Sequence, residues 1–209
     1  MLIRFSLILF LLVGCSKPMN FGHFENSIKV EWVRGDESER RMKLLEDFVY
    51  VDPSGKQWIA PKGYETDGAS IPKVFWSIVG GPFDGQYREA AVIHDQYCDI
   101  KTEPWKDVHR IFYYANRASG ISETKAKILY AAVRVGGPKW GSDHSNCYSC
   151  HDIDPHYKQD RQHRVVNIPE ITSADANKIV DWVTEKNPTI EDIDKFIEIT
   201  YPKSTFFTH

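Results

Sequence analysis

Between Pro61 and Pro72 the hydrophobic period of this chain changes from two residues to between three and four. Upstream, Ile28-Lys29-Val30-Glu31-Trp32-Val33 alternates apolar and polar. Leu44 to Val51 and Gln57 to Ala60 read as two further strands around the turn Asp52-Pro53-Ser54-Gly55. Downstream, apolar residues recur at helical spacing. Helices are predicted over Lys73 to Val79, Arg88 to Cys98, Trp105 to Ser119 with Gly120 as the stop, and from a Ser122 cap to Val135 before Gly136-Gly137-Pro138. Strands followed by helices, instead of strands alternating with them, predict an α+β fold: a small antiparallel sheet followed by a packed helical core. Ser173 is expected to cap a helix through Lys186, and Thr189-Ile190-Glu191-Asp192 to open another. This helical C-terminal lobe carries much of the excess acid. It is either an interaction surface of its own or a cover for the first domain.

The 209 residues begin with MLIRFSLILFLLVG before Cys15. One basic residue, Arg4, precedes an apolar run from Phe5 to Val13. That run is far shorter than the roughly 20 residues a membrane-spanning helix needs and has the proportions of a signal-peptide core. Leu12-Val13-Gly14-Cys15 resembles a bacterial lipobox, which implies cleavage before Cys15, its lipidation, and anchoring by several acyl chains. The alternative is an ordinary secretory signal with Cys15 unmodified. Ser16, where an Asp would signal inner-membrane retention, makes the outer membrane facing the periplasm the expected site in the bacterial envelope. The compartment permits disulfides. Without its first 14 residues the chain keeps 195, enough for one domain with a real core. A net charge of −3 with no Lys/Arg-rich run excludes a nucleic-acid footprint. Hydrophobic residues at 42% and charged residues at 26% exclude bulk disorder, and six Trp, ten Tyr and eleven Phe predict a core or cleft built on rings.

The segments expected from these signals are a leader over 1–14, a tether over 15–27, an α+β domain over 28–141, a Cys/His-rich loop over 142–164 and the helical lobe over 165–209. Within the α+β domain the chemical residues are His94 and Asp95 on one helix and His109 on the next. His94 and Cys98, four residues apart, share a face, and a short connection favours antiparallel packing that lets His94 and His109 meet. A neutral imidazole there can take a proton from water, and a carboxylate beside it can bind a hard cation. Equally, Asp95 can hold the fold by accepting nearby donors, and Thr66-Asp67 can be an Asx turn.

Four pieces carry a family resemblance: Pro61-Lys62-Gly63-Tyr64-Glu65-Thr66-Asp67-Gly68-Ala69-Ser70-Ile71-Pro72, then Ala90-Ala91-Val92-Ile93-His94-Asp95, then His109-Arg110-Ile111-Phe112, and last Ala132-Val133-Arg134-Val135-Gly136-Gly137. From Lys62 to about Gly141 the chain resembles a family of phage and bacterial proteins catalogued as domain of unknown function thirteen fifty-three, which implies no activity. A more distant resemblance, to secreted phospholipases A2, does. Their His-Asp pair with a following Tyr is similar to His94, Asp95 and Tyr97, and their calcium loop to Asp67-Gly68-Ala69-Ser70. The resemblance implies His94 as the base activating water, and calcium bound by Asp67, Asp95 and loop carbonyls to polarise an ester. His109 stands where those enzymes place the carboxylate that orients the base, and Asp107 points away around the helix. The usual disulfide framework is missing.

Cys147-Tyr148-Ser149-Cys150-His151 matches the signature for c-type haem attachment, with His151 as axial ligand. A disulfide involving Cys147, Cys150 or Cys98, and a zinc site with nearby histidines, are the competing readings. Three function classes follow. The first is a lipid-anchored, calcium-dependent phospholipase A2-like hydrolase acting on phospholipid or another envelope ester. The second is a non-enzymatic envelope lipoprotein that blocks a receptor or excludes phage by binding an envelope protein. The third is a c-type haem protein.

Overall fold

The computed structural model describes residues 19–33, 41–68, 71–81, 85–140 and 171–202. The fold is α+β, as the change of period predicts, but the strands form two sheets instead of one meander. The strands are β1 (His23–Phe24), β2 (Val30–Val33), β3 (Arg41–Leu44), β4 (Phe48–Val51), β5 (Gln57–Ala60) and β6 (Glu65–Thr66). One antiparallel sheet has the order β1-β4-β5 and the other β2-β3-β6.

The stretch Leu44 to Val51 is therefore two strands in different sheets. Met42, Leu44, Phe48 and Tyr50 are all buried, so alternation runs through the break without changing phase and conceals it. Long-range partners make the break. The Leu45 amide donates to the Lys29 carbonyl, Asn26 Nδ2 donates to the Asp47 carbonyl, and Asp47 Oδ1 accepts from the Lys62 amide. The expected tether is also structured in its described part. β1 pairs His23 with Val51, Phe24 stacks on Phe48, and Tyr50 Oη donates to the Phe21 carbonyl. The predicted turn at Asp52 is present: Asp52 Oδ1 accepts from the amides of Ser54 and Lys56, closing the β4–β5 hairpin.

A 3₁₀ turn at Lys73–Phe75 leads into α1 (Trp76–Val79), followed by α2 (Arg88–Ile100), α3 (Trp105–Ala118) and α4 (Glu123–Gly136). Ser122 caps α4, as expected. α2 ends on Lys101 in the left-handed region, and a four-residue connection returns the chain as α3. Ser119 Oγ lies 3.4 Å from Glu89 Oε2 at the far end of this pair, so α2 and α3 run antiparallel.

α5 (Ser173–Lys186) and α6 (Ile190–Thr200) each begin with a capping box, Thr172 with Asp175 and Thr189 with Asp192. The first cap is thus Thr172, not Ser173, because Asp175 is placed to return a bond to the Thr172 amide. Ala176, Ile179, Val183, Ile193 and Ile197 are fully buried in the same core as α2–α4, so the two helices cover the first domain. The core is ring-rich: Phe48, Tyr50, Phe75, Tyr87, Phe112 and Tyr130 are essentially inaccessible.

Candidate functional site

α2 is buried on most of its circumference, with Ala90 to Gln96 and Cys98 all buried. Such a helix presents polar side chains to the interior in more than one direction. On one side, His94 and Cys98 lie a turn apart and face α3. His94 Nε2 is 2.8 Å from His109 Nδ1, so one imidazole donates to the other. Cys98 Sγ lies 3.6 Å from His94 Nε2 and 3.7 Å from Nδ1. One ligand atom from each of His94, Cys98 and His109 lies within 4.8 Å of the other two, and all three residues are buried. The His94 ring packs on Phe112, and Trp105 meets His109 edge-on.

Burial fixes the protonation of this group. It pushes the His94 pKa from the usual 6.5 down to about 3. His109 is held well below the ordinary range by burial first, then by His94, Arg134 and Lys139. Burial, with Asp95 and Asp99, pushes the Cys98 thiol well above its usual value. The site is therefore two neutral imidazoles and a thiol. Neutral imidazole nitrogens are ready metal donors, while a thiol this hard to ionise is a poor nucleophile on its own.

Asp95, one step around α2, faces the loop after β6. Its Oδ2 accepts from Thr66 Oγ1 at 2.6 Å, and that oxygen accepts from the Gly68 amide at 3.0 Å. Thr66 and Gly68 are buried and Asp67 between them is exposed, so Thr66, not Asp67, contacts Asp95 here. Tyr97 points away from the imidazoles. Its hydroxyl accepts from the Ile59 amide and its ring meets Trp58 edge-on. Asp107 is exposed and lines a surface cleft of about 240 Å³ with Lys56, Glu103 and Arg110. Cys15, Cys147, Cys150 and His151 lie outside the described residues.

Behind His109 lies a cationic cluster that sequence reasoning missed. Arg134 is fully buried. Its Nε donates to Asp194 Oδ1 at 2.6 Å, and its guanidinium carbon is 4.6 Å from the centre of the Trp105 ring. The same Asp194 also accepts from Tyr130 Oη and Arg110 Nη2. Lys139, also buried, donates to the Val135 carbonyl, with Nζ 5.4 Å from the Trp105 ring centre. Burial, then the Arg134 charge, lowers the Lys139 pKa to about 7. No local spacing joins these residues, because α3, α4, the segment after α4 and α6 each supply part of the cluster. The His94–Cys98 spacing was visible, but Cys98 read as a disulfide candidate.

Gly137 permits this packing. A Cβ there would lie 2.5 Å from the Val133 carbonyl oxygen and 3.1 Å from His109 Cε1, so only glycine lets the chain leave α4 so close to the imidazole.

Residues 42–133 match the family model described as a protein of unknown function, DUF1353. The match runs from β3 into α4 and includes His94, Cys98 and His109. Two proteins of Sinorhizobium fredii are similar. "Uncharacterized protein y4jT" is 45% identical over 120 residues, 57% of this chain and 35% of that protein. "Uncharacterized protein y4iH" is 42% identical over 127 residues, 61% of this chain and 52% of that protein. The chain thus spans about half the length of these relatives or less. No solved structure matches. Over residues 42–133 the chain is similar to the DUF1353 family, a family of unknown function.

Proposed function

We propose that this is a lipid-anchored protein of the bacterial envelope whose DUF1353 domain holds a transition-metal ion of the zinc class at His94, Cys98 and His109. The observation that carries the metal reading is the spacing of the three donors. Zinc bonds of about 2.05 Å to nitrogen and 2.3 Å to sulfur make the edges of a tetrahedral site about 3.6 Å from nitrogen to sulfur and about 3.3 Å between nitrogens. His94 and Cys98 already stand at the first spacing. The two imidazoles, joined by a hydrogen bond at 2.8 Å, need to part by about 0.5 Å. Two nitrogens and a sulfur suit zinc or copper(I), whereas calcium takes oxygen. Binding would expel the Cys98 proton, and the charge of the metal would have to offset the burial and the Asp95 and Asp99 charges that keep the thiol protonated. The leader ending at Cys15 supports the anchoring, which metabolic palmitate labelling tests: the label is expected on the wild type and lost in Cys15→Ala.

The metal reading is tested by cobalt substitution of the full chain in detergent. A near-ultraviolet thiolate-to-cobalt band is expected, with its loss in Cys98→Ser. Absence of the band in folded wild-type protein contradicts the reading.

One observation favours the hydrolase as a second reading. Thr66 ties the loop carrying Asp67 to Asp95, beside a His94 oriented by a residue of the next helix. In that reading His94 activates water and calcium sits at Asp67 and Asp95. Calcium-dependent fatty-acid release from phospholipid vesicles, lost in His94→Ala, supports it. No release by the folded protein sinks it. Covalent haem at Cys147 and Cys150 predicts a visible absorption band after export with haem-maturation machinery.

A further inference from the structure

We infer that a small oxyanion, a carboxylate or phosphate, binds in the interior between the guanidinium of Arg134, the ammonium of Lys139 and Nε2 of His109, against Trp105. Buried donors are left over around Trp105. Among the described residues, Arg134 Nη1 and Nη2 and His109 Nε2 are buried without a well-formed hydrogen bond, the Pro138 backbone acting on the His109 ring only as the weakest of its influences. A buried donor without an acceptor is costly, and several in one place call for a common acceptor.

Among the described residues, the carboxylates nearby are already engaged. Asp194 takes three donors, from Arg110, Tyr130 and Arg134. Glu198 is 3.6 Å from Arg134 Nη2 but accepts from Lys106 at 2.9 Å near the surface. Arg134, His109 and Lys139, whose ammonium gives one of its three protons to the Val135 carbonyl, all lie close to one ring. Arg134, Lys139 and His109 each sit within 5.5 Å of the Trp105 ring centre, measured from Cζ, from Nζ and from ring centroid to ring centroid respectively. The charges of Arg134 and Lys139 both act on His109, and that of Arg134 acts on Lys139.

A guanidinium fork, an ammonium and an imidazole N–H together match an oxyanion and no cation. Burial selects a small free ion over a lipid headgroup. The site goes beyond the metal reading and touches it at one point. If His109 Nδ1 binds a metal, its Nε2 carries the proton and needs an acceptor, as metal-bound imidazoles generally do. Arg134 Nη1 and Nη2 lack an acceptor among the described residues whether or not the metal is there.

The test is calorimetric titration of the full chain in detergent with inorganic phosphate and with acetate, at constant ionic strength in chloride. It is run metal-loaded and again after chelation. Saturable binding of phosphate or acetate is expected, weakened about ten- to a hundredfold in Lys139→Gln, the loss of one charge-assisted hydrogen bond. Circular dichroism checks that this variant folds; Arg134→Gln is expected to weaken binding similarly wherever it folds. Acetate or phosphate binding alone identifies which shape fits. Binding that survives chelation supports the anion site even if cobalt substitution fails, so the two readings are separable. Equal binding by wild type and Lys139→Gln overturns the inference, as does heat that follows ionic strength and not the identity of the anion.

Discussion

Acid should unfold this protein through its histidine pair. His94 has a pKa of about 3 in the folded chain against 6.5 when exposed. Below pH 6.5 the unfolded chain takes up a proton that the folded chain refuses. Stability is therefore fully present above pH 6.5 and is lost as the pH falls toward 3. At pH 5 the linkage amounts to about 2 kcal/mol from His94 alone. His109, also depressed, acts in the same direction. The window is clean. Asp52, Asp175 and Asp192 have lowered pKa values, so their contributions fade only below the ordinary carboxylate range. The Lys139 penalty is nearly constant below pH 7. The assay is urea unfolding with chelator present, at pH 7, 6 and 5. We expect a loss of about 2 kcal/mol or more by pH 5, and a smaller loss in His94→Gln, which has one fewer site to protonate. Equal stability at pH 7 and pH 5, or an unchanged acid slope in His94→Gln, would refute the argument that both imidazoles are buried and neutral.

Three further outcomes follow from the same packing. Lys139, with a pKa near 7 in place of 10.5, penalises the fold below pH 7. Stability should therefore rise between pH 7 and about 10, by at most about 5 kcal/mol, and Lys139→Met should flatten that rise in the same unfolding assay. Asp194→Asn leaves the buried Arg134 without its carboxylate and should cost about 3 kcal/mol in urea unfolding. Gly137→Ala drives a methyl group against the Val133 carbonyl and His109 and should cost about 2 kcal/mol, with the loss of any cobalt band that wild type shows.

The helices were readable because their signals are local. Ser122, Gly120 and the apolar spacing of α2–α4 act within a turn or two. The sheets were not, because β1 and β6 are two residues long and exist only through partners far away in sequence. The unbroken burial phase from Met42 to Tyr50 also concealed the switch between sheets. At the site, a short α2–α3 connection was enough to predict that His94 and His109 can meet, and spacing placed Cys98 on their face. That Thr66 rather than Asp67 touches Asp95 depends on the side-chain direction in a loop, which no spacing encodes. Arg134, Lys139 and Asp194 share no local spacing along the sequence and become a cluster only when α6 closes over α3 and α4.

The most direct measurement of the central claim is the metal content of the full chain, purified in detergent without added metal or chelator and weighed intact by native mass spectrometry. About one zinc-class ion per chain is expected, lost together in Cys98→Ser and His109→Gln, with no calcium retained at that position. A folded chain that carries no ion and takes up none from micromolar zinc would contradict it, leaving His94, Cys98 and His109 as a hydrogen-bonded piece of core.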